Sequence, residues 1–166
     1  TRGLPVMFKD DVLGDENFNW VKSRFNQVEE YLASGNYTAA YELIDVNSII
    51  DNWLIYEITM NNEYGNPGSV YYYINGTAGD VPGDGKFHAG CVWDFDWATY
   101  HNPTNRIAYG DYYANQEQPD YTRFLYEAYN QTQNSQTGKK MYIWIPVLMK
   151  DPNFRAKVQE RWTQIY

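Results

Sequence analysis

The chain has 166 residues, 21 acidic and 13 basic side chains and a formal charge of −8. That length fits one domain, and 43% hydrophobic with 18% aromatic residues suffices for a packed core, which excludes general disorder. The acidic balance argues against nucleic-acid binding, no apolar run approaches the ~20 residues of a membrane span, and one cysteine with two histidines excludes an intrachain disulfide and a Cys-based zinc cluster.

Phe18, Val21, Phe25, Val28 and Leu32 step by three or four and predict an amphipathic helix, with Asp15 as its N-cap and Gly35 as its left-handed stop. A further helical turn is expected before Tyr41. Asp45 or Asn47 can cap the next helix, which runs to about Met60. Its apolar set, Ile49, Ile50, Trp53, Leu54 and Ile58, covers more than one face and predicts burial on several sides, which makes Glu57 a carboxylate to watch. Val70 to Ile74 and Phe87 to Trp97 read as two strands of an antiparallel hairpin around a glycine-rich connection. Gly83-Asp84-Gly85-Lys86 in that connection reads as a plain turn, since it lacks a calcium-loop ligand pattern. Residues 98–119 are irregular and polar, Asp120 to Tyr129 has helix formers, and Asn130 to Gly138 is a loop. Met141 to Met149 reads as an apolar helix that Pro146 kinks or reopens. Asp151-Pro152 is an N-cap followed by proline, and Phe154, Val158 and Trp162 carry the last helix. The sum is an α+β chain, mostly helical around one hairpin, forming a single domain over 1–166.

The sharpest local feature is Trp93-Asp94-Phe95-Asp96-Trp97. On a strand its rings would face one way and its two carboxylates the other. Cys91 would be a small buried residue of the same strand. Carboxylates this close repel unless a proton or cation lies between them, and Mg²⁺ typically takes one or two carboxylates plus phosphate oxygens and water. Glu57, Asn61, Glu63, Asn66 and Ser69 supply further oxygens just before the hairpin. The order Glu63, then Asn66 or Ser69, then Asp94 parallels the Asp, Asn, Asp order of protein kinases.

Ile44-Asp45-Val46, Asn61-Asn62-Glu63, Tyr71-Tyr72-Tyr73 and Val92-Trp93-Asp94-Phe95-Asp96, followed by Trp144, Leu148, Asp151-Pro152, Phe154-Arg155 and Arg161-Trp162, together resemble the CotH kinase-like family, named for spore coat protein H. The resemblance covers about residues 15 to 166. It implies a kinase-C-lobe-like domain whose hairpin carries the Trp-Asp-Phe-Asp motif, and transfer of a phosphoryl group from ATP with Mg²⁺ or Mn²⁺ to Ser or Thr of a coat or secreted protein. It further implies Glu63 as the catalytic carboxylate, Asn61, Asn66 and Ser69 on the cofactor, and Asp94 and Asp96 on the metal. An extracellular, cell-surface, spore-coat or cellulosome setting goes with it. The chain departs from the family pattern in having Glu63 in place of Asp and no glycine soon after Asp96. About a dozen residues precede the first helix, so most of the nucleotide-covering lobe is expected to be absent and the chain to be either a fragment of a kinase-like enzyme or a pared-down relative that no longer catalyses. The opening Thr1-Arg2-Gly3 reads as a mature or trimmed start.

The alternative is a non-catalytic extracellular module that binds glycan or protein. Its basis is 17 tyrosines and 6 tryptophans, whose rings stack while their polar tips hydrogen-bond, although a core can use the same rings.

Overall fold

The computed structural model describes residues 6–9, 14–61, 64, 70–79, 83–96, 99, 124 and 143–166. The expectations for residues 98–142 otherwise lie outside the described set. Helix α1 (Gly14–Ser34) buries Val21, Val28 and Leu32. It begins one residue before the expected cap, so Asp15 and Glu16 occupy its first turn, where the positive end of the helix dipole favours them. It stops as expected. Gly35 adopts φ +74°, its N–H donates to the Leu32 carbonyl (3.2 Å), and Asn36 N–H donates to the Tyr31 carbonyl (2.8 Å). These are the paired bonds of a Schellman end. Phe18 departs from the buried stripe: it is exposed and packs on Phe8 near the start of the chain, ring centroids 4.7 Å apart.

Asn36 caps the short α2 (Tyr37–Tyr41) by accepting from Ala39 N–H. Asp45 caps α3 (Val46–Ile58), accepting from Ser48 N–H at 2.6 Å. The predicted burial of α3 on several sides holds for Ile49, Ile50, Trp53 and Leu54, but Ile58 is exposed and Tyr56 is buried instead. Tyr56 lies three residues after Trp53 and seven after Ile49, which puts it on their face. Glu57 is half-buried and accepts the indole N–H of Trp53 at 2.7 Å, so it serves its own helix.

Strands β1 (Tyr72–Ile74) and β2 (Phe87–Ala89) pair antiparallel, with Tyr73 opposite His88. The hairpin is therefore present, but β2 stops well short of Trp97. Tyr72 faces Ala89, and among the described residues the last bond of the ladder is Gly90 N–H to the Tyr71 carbonyl. Gly90 then turns the chain at φ +133°. Cys91, expected to be buried, is exposed on this exit. The turn before β2 is built as read from sequence. Asp84 accepts from Lys86 N–H, and His88 Nε2 lies 3.0 Å from its other oxygen; these two contacts, in that order, hold the Asp84 carboxyl below the usual carboxylate range.

Three residues per strand make a marginal hairpin on their own, and neighbours grip it from both sides. Phe87 forms a parallel bridge with Ile44, exchanging bonds with Leu43 and Asp45 at 2.8 Å each. Ser48 Oγ accepts Ala89 N–H, and Arg24 reaches the Gly85 carbonyl. From the other end of the chain come α4 (Ile145–Leu148), with Pro146 in its first turn, and α5 (Pro152–Ile165), capped by Asp151 as predicted. Phe154 and Val158 of α5 are buried, whereas Trp162 is partly exposed. The wholly buried Trp144 packs against Phe25, Tyr72 and Phe87 and donates its indole N–H to Glu29, itself buried on α1 (2.7 Å).

Two outcomes follow from these buried polar contacts. Glu29→Leu strands the Trp144 donor and should lower unfolding free energy in urea by about 1–3 kcal/mol, while Glu29→Gln keeps an acceptor and should lose less. The Tyr41 hydroxyl donates to Asp151, and burial first, then that bond and charge, raises the phenol well above its ordinary value. A phenol raised by folding lends stability that is complete below its unfolded value of about 10 and is lost as pH climbs beyond it. Tyr41→Phe should therefore flatten the fall in melting temperature above about pH 10; an unchanged alkaline slope would count against the contact.

Candidate functional site

The C-terminal end of α3 is the platform of the site. Met60 N–H donates to the Glu57 carbonyl (3.1 Å) and Asn61 N–H to the Tyr56 carbonyl (2.8 Å), again a Schellman pair, but with Met60 rather than glycine at the left-handed position, φ 51°. This turn sends Asn61 inward, where it has 0% exposure and donates through Nδ2 to Thr99 Oγ1 at 3.1 Å.

The segment beyond β2 arrives over this platform. Asp94 adopts φ 63°, a conformation Asp tolerates better than most residues. Phe95 is half-buried and its ring meets that of Tyr56 at 4.6 Å. Tyr56 in turn meets Tyr64 at 4.9 Å, and the Tyr64 and Tyr72 hydroxyls lie 2.9 Å apart. The Trp-Asp-Phe-Asp motif is thus a loop past the hairpin, not part of its strand. Trp93 does not anchor it: that ring is 59% exposed, beside an exposed Val92, and Phe95 alone of the described rings in the motif faces in. Asp94 and Asp96 are both exposed, as the sequence pattern anticipated for a different reason.

Of the sequence-derived candidates, the structure therefore joins Asn61 to the segment carrying Asp94 and Asp96. Glu63, Asn66 and Ser69 lie outside the described residues. Among the described residues no group of three His, Cys, Asp or Glu side chains could hold a metal. The pair Asp94 and Asp96 is chemically suited to a hard divalent cation, because two water-accessible carboxylates leave coordination positions for phosphate oxygens and water. Tyr56 and Thr99, which hold the motif in place, were not singled out in the sequence. The helical spacing of Tyr56 was a usable signal, whereas Thr99 had none, since its partner is 38 residues away.

Among the described tyrosines and tryptophans some are core and others, such as Trp93 and Trp162, are exposed. Trp53, Trp144, Tyr56 and Tyr64 are fully buried, and Tyr73, exposed on β1, stacks on His88 at 5.0 Å.

The sequence profile of the CotH kinase protein family matches residues 5–166. The chain belongs to that family, and the match supports a kinase-like role. No curated protein and no solved structure matches the chain. No helix among the described residues is long and apolar enough to cross a membrane.

The left-handed Met60 gives a direct test of the platform. Met60→Gly relieves a penalty of about 1 kcal/mol and should leave the chain at least as stable, whereas the β-branched Met60→Val should cost about 1 kcal/mol or more in a denaturant melt. The opposite order would mean that α3 does not end in this turn.

Proposed function

We propose that the chain is a CotH-type kinase-like domain that binds ATP with Mg²⁺ or Mn²⁺ and phosphorylates Ser or Thr of a coat or secreted protein. The observation that carries this reading is the loop of Asp94 and Asp96, two exposed carboxylates on a segment tied to the end of α3 through Phe95 on Tyr56 and Thr99 on Asn61. Asp94 and Asp96 would hold the cation, and Asn66 or Ser69 would add a neutral oxygen. ATP, when bound, supplies the phosphoryl group to be transferred. The Glu63 carboxylate would accept a hydrogen bond from the acceptor hydroxyl and orient its oxygen for attack, the work a catalytic-loop carboxylate does in kinases generally. Glu63 is one methylene longer than the Asp of the family pattern. A displacement of about 1 Å can cost about 100-fold in rate, so slow turnover or nucleotide binding without turnover fits the same site. A secreted, cell-surface or spore-coat location belongs to this reading.

A thermal melt with and without ATP plus Mn²⁺ tests it on the parent chain and on Asp94→Asn. Ligand at about 100 times its dissociation constant adds roughly 2.7 kcal/mol, a rise of about 5–10 °C for a chain of this size. The parent should show the rise and Asp94→Asn should lose it. An equal rise in both would remove Asp94 from the site, and no rise in the parent would overturn nucleotide binding by this chain.

A further inference from the structure

We infer that Asn61 is a positioning residue which acts through Thr99, in concert with Tyr56 against Phe95, to fix the loop presenting Asp94 and Asp96; this rests on reading that loop as the cation site. Asn61 has 0% exposure, so its amide is engaged within the protein. That amide reaches the right chain segment: Nδ2 donates to Thr99 Oγ1, three residues beyond Asp96. The second anchor lies between the two carboxylates, where the Phe95 ring rests on Tyr56, a side chain only 1% exposed. The loop is thus tied to one helix end on both sides of Asp96.

Those ties matter because the stretch before them is exposed. Among the described residues the last ladder bond of the hairpin is at Gly90, and Cys91, Val92, Trp93 and Asp94 are all exposed. Two carboxylates can share one cation only if their separation is held, and the exposed residues cannot hold it by packing. A buried primary amide can, because its hydrogen bond is directional and leaving the group unpaired is costly. Met60 serves the same end, since its left-handed turn is what carries Asn61 into the interior.

The test is manganese binding by the full chain, followed through the electron paramagnetic resonance signal of free Mn²⁺, for the parent, Asp94→Asn, Thr99→Val, Thr99→Ser and Phe95→Leu. Thr99→Val keeps the shape and removes the acceptor, so it should weaken Mn²⁺ about tenfold or more, the usual effect of losing a group that orients a metal ligand. Thr99→Ser restores the hydroxyl and should bind within about twofold of the parent, a recovery that a purely structural threonine would not show. Phe95→Leu removes the ring contact by a separate route and should also weaken binding, while exchange of the amides in 91–96 quickens in both weakened variants. Parent-like binding by Thr99→Val and Phe95→Leu, with Asp94→Asn inactive, overturns this inference and spares the cation site. Failure of the parent to bind Mn²⁺, or undiminished binding by Asp94→Asn, overturns the site reading and this inference with it.

Discussion

The indole of Trp144 is the point on which the described fold closes. It has no solvent exposure, lies within ring contact of Phe25 on α1, Tyr72 on β1 and Phe87 on β2, and gives its one polar hydrogen to Glu29. Glu29 and Trp144 are 115 residues apart, so the contact joins the first helix to the last fifth of the chain. A buried indole N–H without an acceptor would offset much of what burying the ring contributes, and a carboxylate in the interior requires a donor. Each group makes the burial of the other tenable. The hairpin depends on the same pair, because two three-residue strands gain their stability from what covers them.

From Trp144 the contacts run outward to the site. Its ring meets Tyr72, whose hydroxyl reaches that of Tyr64; Tyr64 packs edgewise on Tyr56, and Tyr56 carries Phe95. Ring pairs of this kind add about 0.5–1.5 kcal/mol each beyond their area. Their continuity has a further consequence. Tyr56 and Tyr64 are both fully buried, so Phe95 rests on side chains whose own positions are settled by the core. Loops that bear functional groups work when a rigid scaffold places them, and here the scaffold is aromatic up to the residue between Asp94 and Asp96.

What the sequence made legible follows the range of the physics involved. The Gly35 stop and the Asp45 and Asp151 caps are local devices, each satisfied within a few residues, and each was readable. The stripe of α1 was readable except at Phe18, where the helix has passed beyond the core. Glu57 stood out because it sits in an apolar helix, yet the buried carboxylates among the described residues are Glu29 and Asp151, whose partners Trp144 and Tyr41 lie across the fold. The length of β2 depended on where β1 begins, which no pattern within residues 87–97 records. The exposed Trp93 and Cys91 follow from that single difference.

The motif itself shows why its outward carboxylates were readable and its shape was not. Alternation along a strand would put Asp94 and Asp96 outward and Trp93, Phe95 and Trp97 inward. The loop keeps half of that order: both carboxylates are out and Phe95 is in, but Trp93 is out as well. The change of phase falls at Asp94, whose positive φ is incompatible with a continuous strand. Among the described residues the other non-glycine with positive φ is Met60, which turns Asn61 toward the same loop. Left-handed residues other than glycine cost energy and persist where their surroundings over-determine them. One such residue on each side of the junction between α3 and the loop is what lets the carboxylates face water while Phe95 and Asn61 face the protein.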